Sequence, residues 1–204
     1  MRRRLAAALA LAALGVASHA HAQGPDPLTG AVVDVRALTA SLPSGAGWTP
    51  VVSNGVVPGR GFGGEVGASL FVGPGRFRRL AVGLSALAVQ GRATAIDGPT
   101  VTTRLLTFAP HAALAFGHRD GWSYLSAGAG AASVRSDVDG STPSPASWGL
   151  VVHYGGGARW FVTRHVAVSL DLRFWALTPR AATAARAAGA ANTRVALGAG
   201  VSIH

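Results

Sequence analysis

The stretch His165-Val166-Ala167-Val168-Ser169-Leu170-Asp171-Leu172-Arg173-Phe174-Trp175-Ala176 decides the fold. Val166, Val168, Leu170, Leu172 and Phe174 fall on one parity; Ala167, Ser169, Asp171, Arg173 and Trp175 fall on the other. Successive side chains of a β-strand point to opposite faces, so this is a strand with one wholly apolar face. Its other face carries a charge pair in mid-strand. A soluble sheet turns its polar face to bulk water. A membrane barrel turns that face into a polar lumen and gives the apolar one to lipid. The rest of the chain favours the lumen.

Outward from this stretch, seven further segments alternate in the same way: 30–42, 61–73, 79–91, 102–117, 122–135, 147–162 and 192–203. Leu87 and Val89 blur the third. Pro110 sits inside the fourth, where it removes a ladder hydrogen bond and predicts a local irregularity or bulge. Between the first two strands, Val51 to Val57 reads as a small hairpin around Asn54-Gly55, with arms too short to cross a bilayer. Connections after the second, fourth and sixth strands are short; those after the first, third, fifth and seventh are long. That asymmetry, with an even strand count, describes an all-β, eight-stranded antiparallel up-and-down transmembrane barrel with brief periplasmic turns and longer outer loops. Eight strands leave an interior that side chains fill.

Charges sort by parity. Asp34, Arg36, Glu65, Arg159, Asp171 and Arg173 all lie opposite the apolar faces. They are expected to form a structural ion network in the lumen, because an Arg on the lipid face costs about 2–4 kcal/mol at mid-bilayer. Arg104 and Arg135 share the outer parity but sit at strand ends, where they can snorkel. Aromatic residues gather near both strand ends: Phe62, Trp148 and Trp175 on the loop side, Phe71, Phe116, Trp122 and Trp160 on the turn side. They are expected to form two interfacial girdles.

Composition agrees. Only 13% of the 204 residues are charged, against roughly 25% in a soluble domain. Without cysteine there is no disulfide and no thiolate metal site. The net charge of +10 comes entirely from arginine on the basic side, but three of these, Arg2, Arg3 and Arg4, sit in the leader and the others form no stripe. Nucleic-acid binding is not expected. Residues 1–22 have a basic start, an apolar run from Leu5 to about Val16, and Ala20-His21-Ala22, the pattern of a cleavable signal peptide. The barrel domain is then 23–204, exported to the outer membrane. No later apolar run reaches the length of a spanning helix, and a closed barrel is the other form that satisfies every backbone group in lipid.

Catalytic and metal-binding patterns are missing, and no cofactor is expected. His111, His118, His153, His165 and His204 have no close metal-ligand spacing. No Gly-x-Ser-x-Gly elbow is present, and Gly155-Gly156-Gly157 precedes no helix, so it is not a phosphate loop. His111 and His153 share the inward parity, with Tyr124 on the strand between them. These three are the candidate polar site of the lumen.

Tyr124-Leu125-Ser126-Ala127-Gly128-Ala129-Gly130 is similar to the Tyr-x-x-x-Gly-x-Gly strand of the small eight-stranded outer-membrane β-barrels of the OmpA/OmpX type, and the alternating last strand from Val195 to Ile203 resembles theirs. His204 departs from the aromatic residue with which that family usually ends. The resemblance implies outer-membrane lipids and the outer-membrane assembly machinery as partners. The leading functional expectation is a non-enzymatic barrel that supports the envelope or presents its loops to unknown extracellular partners. A narrow conduit for small or apolar molecules is the alternative. A barrel enzyme acting on outer-membrane lipid is a third reading, for which no His and Ser pair is evident.

Overall fold

A computed structural model describes residues 30–44, 56–72, 78–96, 98–118, 121–141, 146–178 and 191–204. The leader and the hairpin expected around Asn54-Gly55 lie outside the described residues, apart from the last residues of that hairpin. Eight strands follow in order: β1 Ala31–Ser41, β2 Arg60–Val72, β3 Arg78–Thr94, β4 Thr100–His118, β5 Gly121–Val138, β6 Ser147–Phe161, β7 Val166–Leu177 and β8 Asn192–Ile203. Each pairs antiparallel with its sequence neighbours, and β1 closes on β8 through pairs such as Asp34 with Ser202 and Arg36 with Gly200. Closure leaves no free sheet edge, so every strand finds ladder partners on both sides.

The apolar parity faces out. Leu170 and Leu172 on β7 are 48% and 43% exposed. Neither a second sheet nor a helix lies over them among the described residues. Phe62, Val66, Leu84, Phe108, Leu125, Leu150 and Leu197 are likewise exposed, so the outer surface is a continuous hydrocarbon-like belt. From Trp148 to Trp160, both exposed, a tilted strand rises about 25–30 Å, which matches the apolar band of such barrels.

Three expectations need correction. First, β3, β4 and β5 run further on the loop side than predicted, to Thr94, from Thr100 and to Val138. The connection between β3 and β4 is therefore only 95–99, no longer than the turn-side connection 73–77, because pairing continues past the belt through Ala93 with Val101 and Thr94 with Thr100. Second, of the two alternatives at Pro110 the structure has the local irregularity and no bulge. The β3–β4 register passes through it unchanged, while the β4–β5 ladder skips Ala109 and Pro110 and resumes in the same register. The missing N–H costs one local interruption, and the ring faces outward. Third, the girdles are thinner. Trp122 and Trp175 are buried, and Phe71 packs against the buried cluster around Trp122. Their parity is that of the polar residues on the same strands, so the pleat turns them into the lumen whatever their hydrophobicity. Phe62, Trp148, Phe116 and Trp160 remain on the outside.

The lumen is layered. On the turn side, Val32, Ala115 and Trp122 pack with Phe71 and Phe161. On the loop side, Leu38, Leu42, Leu87, Leu105, Val151 and Trp175 belong to a larger apolar cluster. Leu87 and Val89, which blurred the alternation of β3, are part of this upper plug. Charged groups occupy the layer between the two.

Candidate functional site

The charged layer is built by the pleat. Asp34 and Arg36 come from β1, Glu65 from β2, Arg159 from β6, Asp171 and Arg173 from β7, each two residues from another inward position. All six are buried. Arg159 Nη2 lies 2.7 Å from Asp34 Oδ2, and Arg36 Nη2 lies 2.9 Å from the same oxygen. Arg36 Nη1 reaches Glu65 Oε1 at 3.2 Å; Arg173 Nη1 reaches it at 2.6 Å. Arg173 Nε then lies 2.8 Å from Asp171 Oδ1. The Arg36 Nη2 to Asp34 and Arg173 Nε to Asp171 approaches are charge contacts without hydrogen-bond alignment.

Tyr124 closes the circuit. Its hydroxyl donates to Asp171 Oδ2, and the Arg159 guanidinium lies 4.3 Å from the centre of its ring. The same guanidinium stands 4.7 Å from the Trp122 ring, which joins the ionic layer to the turn-side plug. The ring therefore runs Arg159, Asp34, Arg36, Glu65, Arg173, Asp171, Tyr124 and back to Arg159. Three guanidinium groups meet three carboxylates, so the layer is neutral. Neutrality matters because taking a lone charge from water costs several kcal/mol, and mutual attraction offsets this only when the partners are close and well bonded.

Glycines make room for these side chains. A Cβ on Gly157 would stand 2.8 Å from the Tyr124 hydroxyl oxygen. One on Gly155 would meet the Cα and Cγ of Arg173 at 2.8 and 3.1 Å. The Gly155-Gly156-Gly157 run thus gives space to an aromatic ring and an arginine stem.

The candidate polar site divides. His111 Nε2 lies 3.2 Å from Ser69 Oγ, and its ring centroid is 6.1 Å from that of His153, edge to face. His153 is fully buried, 4.7 Å from the Trp175 ring, and neither of its ring nitrogens has a hydrogen-bond partner among the described residues. Tyr124 belongs to the ionic ring instead. His111 and Tyr124 do share the wall of a cavity of about 20 Å³, with Asp34, Ser69, Arg159 and Arg173. That is space for about one water. Among the described residues no three His, Asp or Glu side chains are grouped to hold a metal ion.

Sequence reasoning missed three contributors. Ser202 Oγ donates to Asp34 Oδ1 at 2.5 Å and accepts from Arg159 Nε at 2.8 Å. Ser69 serves His111, and Trp122 carries Arg159. All three have inward parity, which was the available signal. What alternation alone does not give is the height at which residues of distant strands meet.

No family model matches this chain, and no curated protein matches it. Solved structures do. Neisserial surface protein A superposes with a TM-score of 0.55 at 19% identity, over 86% of this chain and 97% of that one. Ail, the attachment invasion locus protein of Yersinia pestis, gives 0.49 at 11% identity, over 86% and 99%. The outer membrane protein OprG from Pseudomonas aeruginosa gives 0.46 at 10% identity, over 90% and 99%. The first of these and the closed eight-strand topology agree: the chain has the fold of the small eight-stranded outer-membrane β-barrels.

Proposed function

We propose that this protein is a non-enzymatic, integral barrel of the Gram-negative outer membrane that supports the envelope and presents its loop-side segments outward. The observation that supports it is how the lumen is filled. A neutral ion ring lies between two apolar plugs, and the cavity at the ring holds about one water. That filling supports a closed lumen over a conduit. Each carboxylate of the ring is engaged by a guanidinium group, so no acid or base among them is free for proton transfer. The surfaces left for function are the lipid-facing belt and the segments beyond the loop-side rim.

The test has three readings on one preparation. Cell fractionation should leave the protein in the detergent-extractable envelope, and unheated samples should migrate as a folded barrel on a gel. Planar bilayers should show no channel activity. An epitope inserted within 179–190 should be labelled on intact cells. Steady conductance would replace the proposal with the conduit reading, and turnover of a lipid substrate by purified protein would replace it with the enzymatic one.

A further inference from the structure

Among the described residues, the loop-side rim of the outer surface carries a charged sector. Arg60 on β2, Arg92 on β3, Arg104 on β4 and Arg135 on β5 share the outward parity of the apolar belt. Each sits just beyond the last exposed apolar residue of its strand or its neighbour: Phe62 below Arg60, Leu106 below Arg104, Trp148 on β6 beside the β5 end. Measured from the turn side, Arg60 stands above Val72, Arg92 above Leu80, Arg104 above Phe116 and Arg135 above Ser123 by about twelve residues each, and Trp148 above Trp160 by the same, at roughly 3.3 Å per residue. The four arginines therefore lie at the height of the loop-side aromatic girdle, on adjoining strands. The remaining outward positions of that rim carry no charge: Thr39 and Ser41 on β1, Ala176 on β7, Thr193 and Val195 on β8.

The sector is short of counter-charge. Arg104 and Arg135 are direct cross-strand partners, and like charges placed so repel. Asp137, held by Arg135 at 2.9 Å, and the exposed Asp139 beyond it are the acids there among the described residues. Arg104 Nε donates to the neutral Gln90 side chain at 3.3 Å. Arg60 and Arg92 have no ion pair or hydrogen bond among the described residues. Two guanidinium groups without a partner among the described residues, beside a like-charged pair, are costly at the edge of a hydrocarbon belt, and an anion held at the same height relieves them. Guanidinium presents paired donors that match phosphate oxygens.

We infer that this sector of β2–β5 binds the phosphate groups of a lipid headgroup in the loop-side leaflet, with the lipid's chains lying on the belt below. The occupant is an anchored phosphate-bearing lipid, because the apolar belt continues directly beneath the arginines. The inference rests on the proposed embedding with the loop side outward.

The test uses the full chain refolded in zwitterionic micelles, titrated with bisphosphorylated lipid A, its dephosphorylated form, or inorganic phosphate, with the gel-mobility midpoint on heating as readout. Only bisphosphorylated lipid A should raise the midpoint. The variant Arg104→Gln/Arg135→Gln loses a repulsive pair together with the partly exposed Arg135–Asp137 ion pair and the Arg104–Gln90 hydrogen bond, so without lipid its midpoint should stay close to the parent's. Its apparent affinity for bisphosphorylated lipid A should fall about tenfold or more, at roughly 1 kcal/mol for each arginine near a charged surface. Arg164→Gln, in the exposed turn on the opposite rim, should titrate as the parent. Equal stabilisation by dephosphorylated lipid A, by inorganic phosphate alone, or of the double variant would overturn the inference. A chain that gives no heat-modifiable form would refute the barrel reading itself, which separates the two failures.

Discussion

Glu65 is the carboxylate shared by two arginines, and Glu65→Gln probes the ring at its most connected acid. Gln keeps the shape and an acceptor oxygen but removes one negative charge, leaving the buried layer at +1. Glu65 Oε1 takes Arg173 at 2.6 Å and Arg36 at 3.2 Å. Breaking a buried pair by removing one partner costs about 3–5 kcal/mol. Both arginines retain a second carboxylate, Asp171 at 2.8 Å and Asp34 at 2.9 Å, so the lower end, about 3 kcal/mol, is expected. Urea titration of the refolded protein in phosphatidylcholine vesicles, followed by tryptophan fluorescence, measures it. Neutrality gives the sharper arm. Glu65→Gln/Arg173→Met removes one charge of each sign, and should be more stable than the sum of the two single variants by about 2 kcal/mol. A Glu65→Gln loss under about 1 kcal/mol, or strict additivity in the double variant, would refute a charge-coupled ring.

Asp171→Ala leaves Arg173 on Glu65 but strips the Tyr124 hydroxyl of its acceptor, and should lower the heat-shift midpoint by less than Glu65→Gln, at about 1–3 kcal/mol; an unchanged midpoint counts against the network. Trp175→Ala opens a void in the upper plug and should cost about 3–5 kcal/mol in the same urea titration, while bilayers stay silent because the ion ring and turn-side plug remain. Leu172→Arg, at mid-belt, should cost about 2–4 kcal/mol, whereas Phe62→Arg at the rim should cost about 0–1. Equal penalties at the two positions would argue that hydrocarbon does not cover the belt.

Much of the fold was legible because parity is a local property. The pleat alone sends Val168, Leu170 and Leu172 to one side and Ser169, Asp171 and Arg173 to the other, so the eight strands and the inward set of charges follow from the chain. The same rule places Trp122 and Trp175 inward; grouping them with the girdles gave residue type priority over parity, and the structure restores the order. Strand ends were less legible. Ala93 to Val101 read as a polar connection, yet its two ends pair as Ala93 with Val101 and Thr94 with Thr100, because cross-strand pairing beyond the bilayer needs no apolar face to sustain it. Pro110 was legible as a local irregularity, but not as one without a bulge, since an outward proline interrupts the ladder and leaves the register intact. The pairing of Asp34 with Arg159, 125 residues apart, was beyond local reading because it depends on register summed around the whole barrel.

That dependence gives the ring a second consequence. Its contacts cross the lumen: Asp34 on β1 meets Arg159 on β6, and Glu65 on β2 meets Arg173 on β7. A slip of one residue in β1 would turn Asp34 and Arg36 into lipid, and any other strand count or stagger would separate acids from bases. Buried ion pairs often add little to stability compared with well-packed apolar residues, and their replacement can stabilise by about 1–4 kcal/mol. The ring then serves register more than strength, and the two are separable. Replacing all six charged residues by Leu or Met should leave the urea midpoint of correctly folded protein equal or raised. The fraction that reaches the heat-modifiable form on refolding should fall, because slipped barrels no longer carry a penalty. An unchanged folded yield beside an unchanged midpoint would remove the registry role, since misplaced charges would then have excluded nothing.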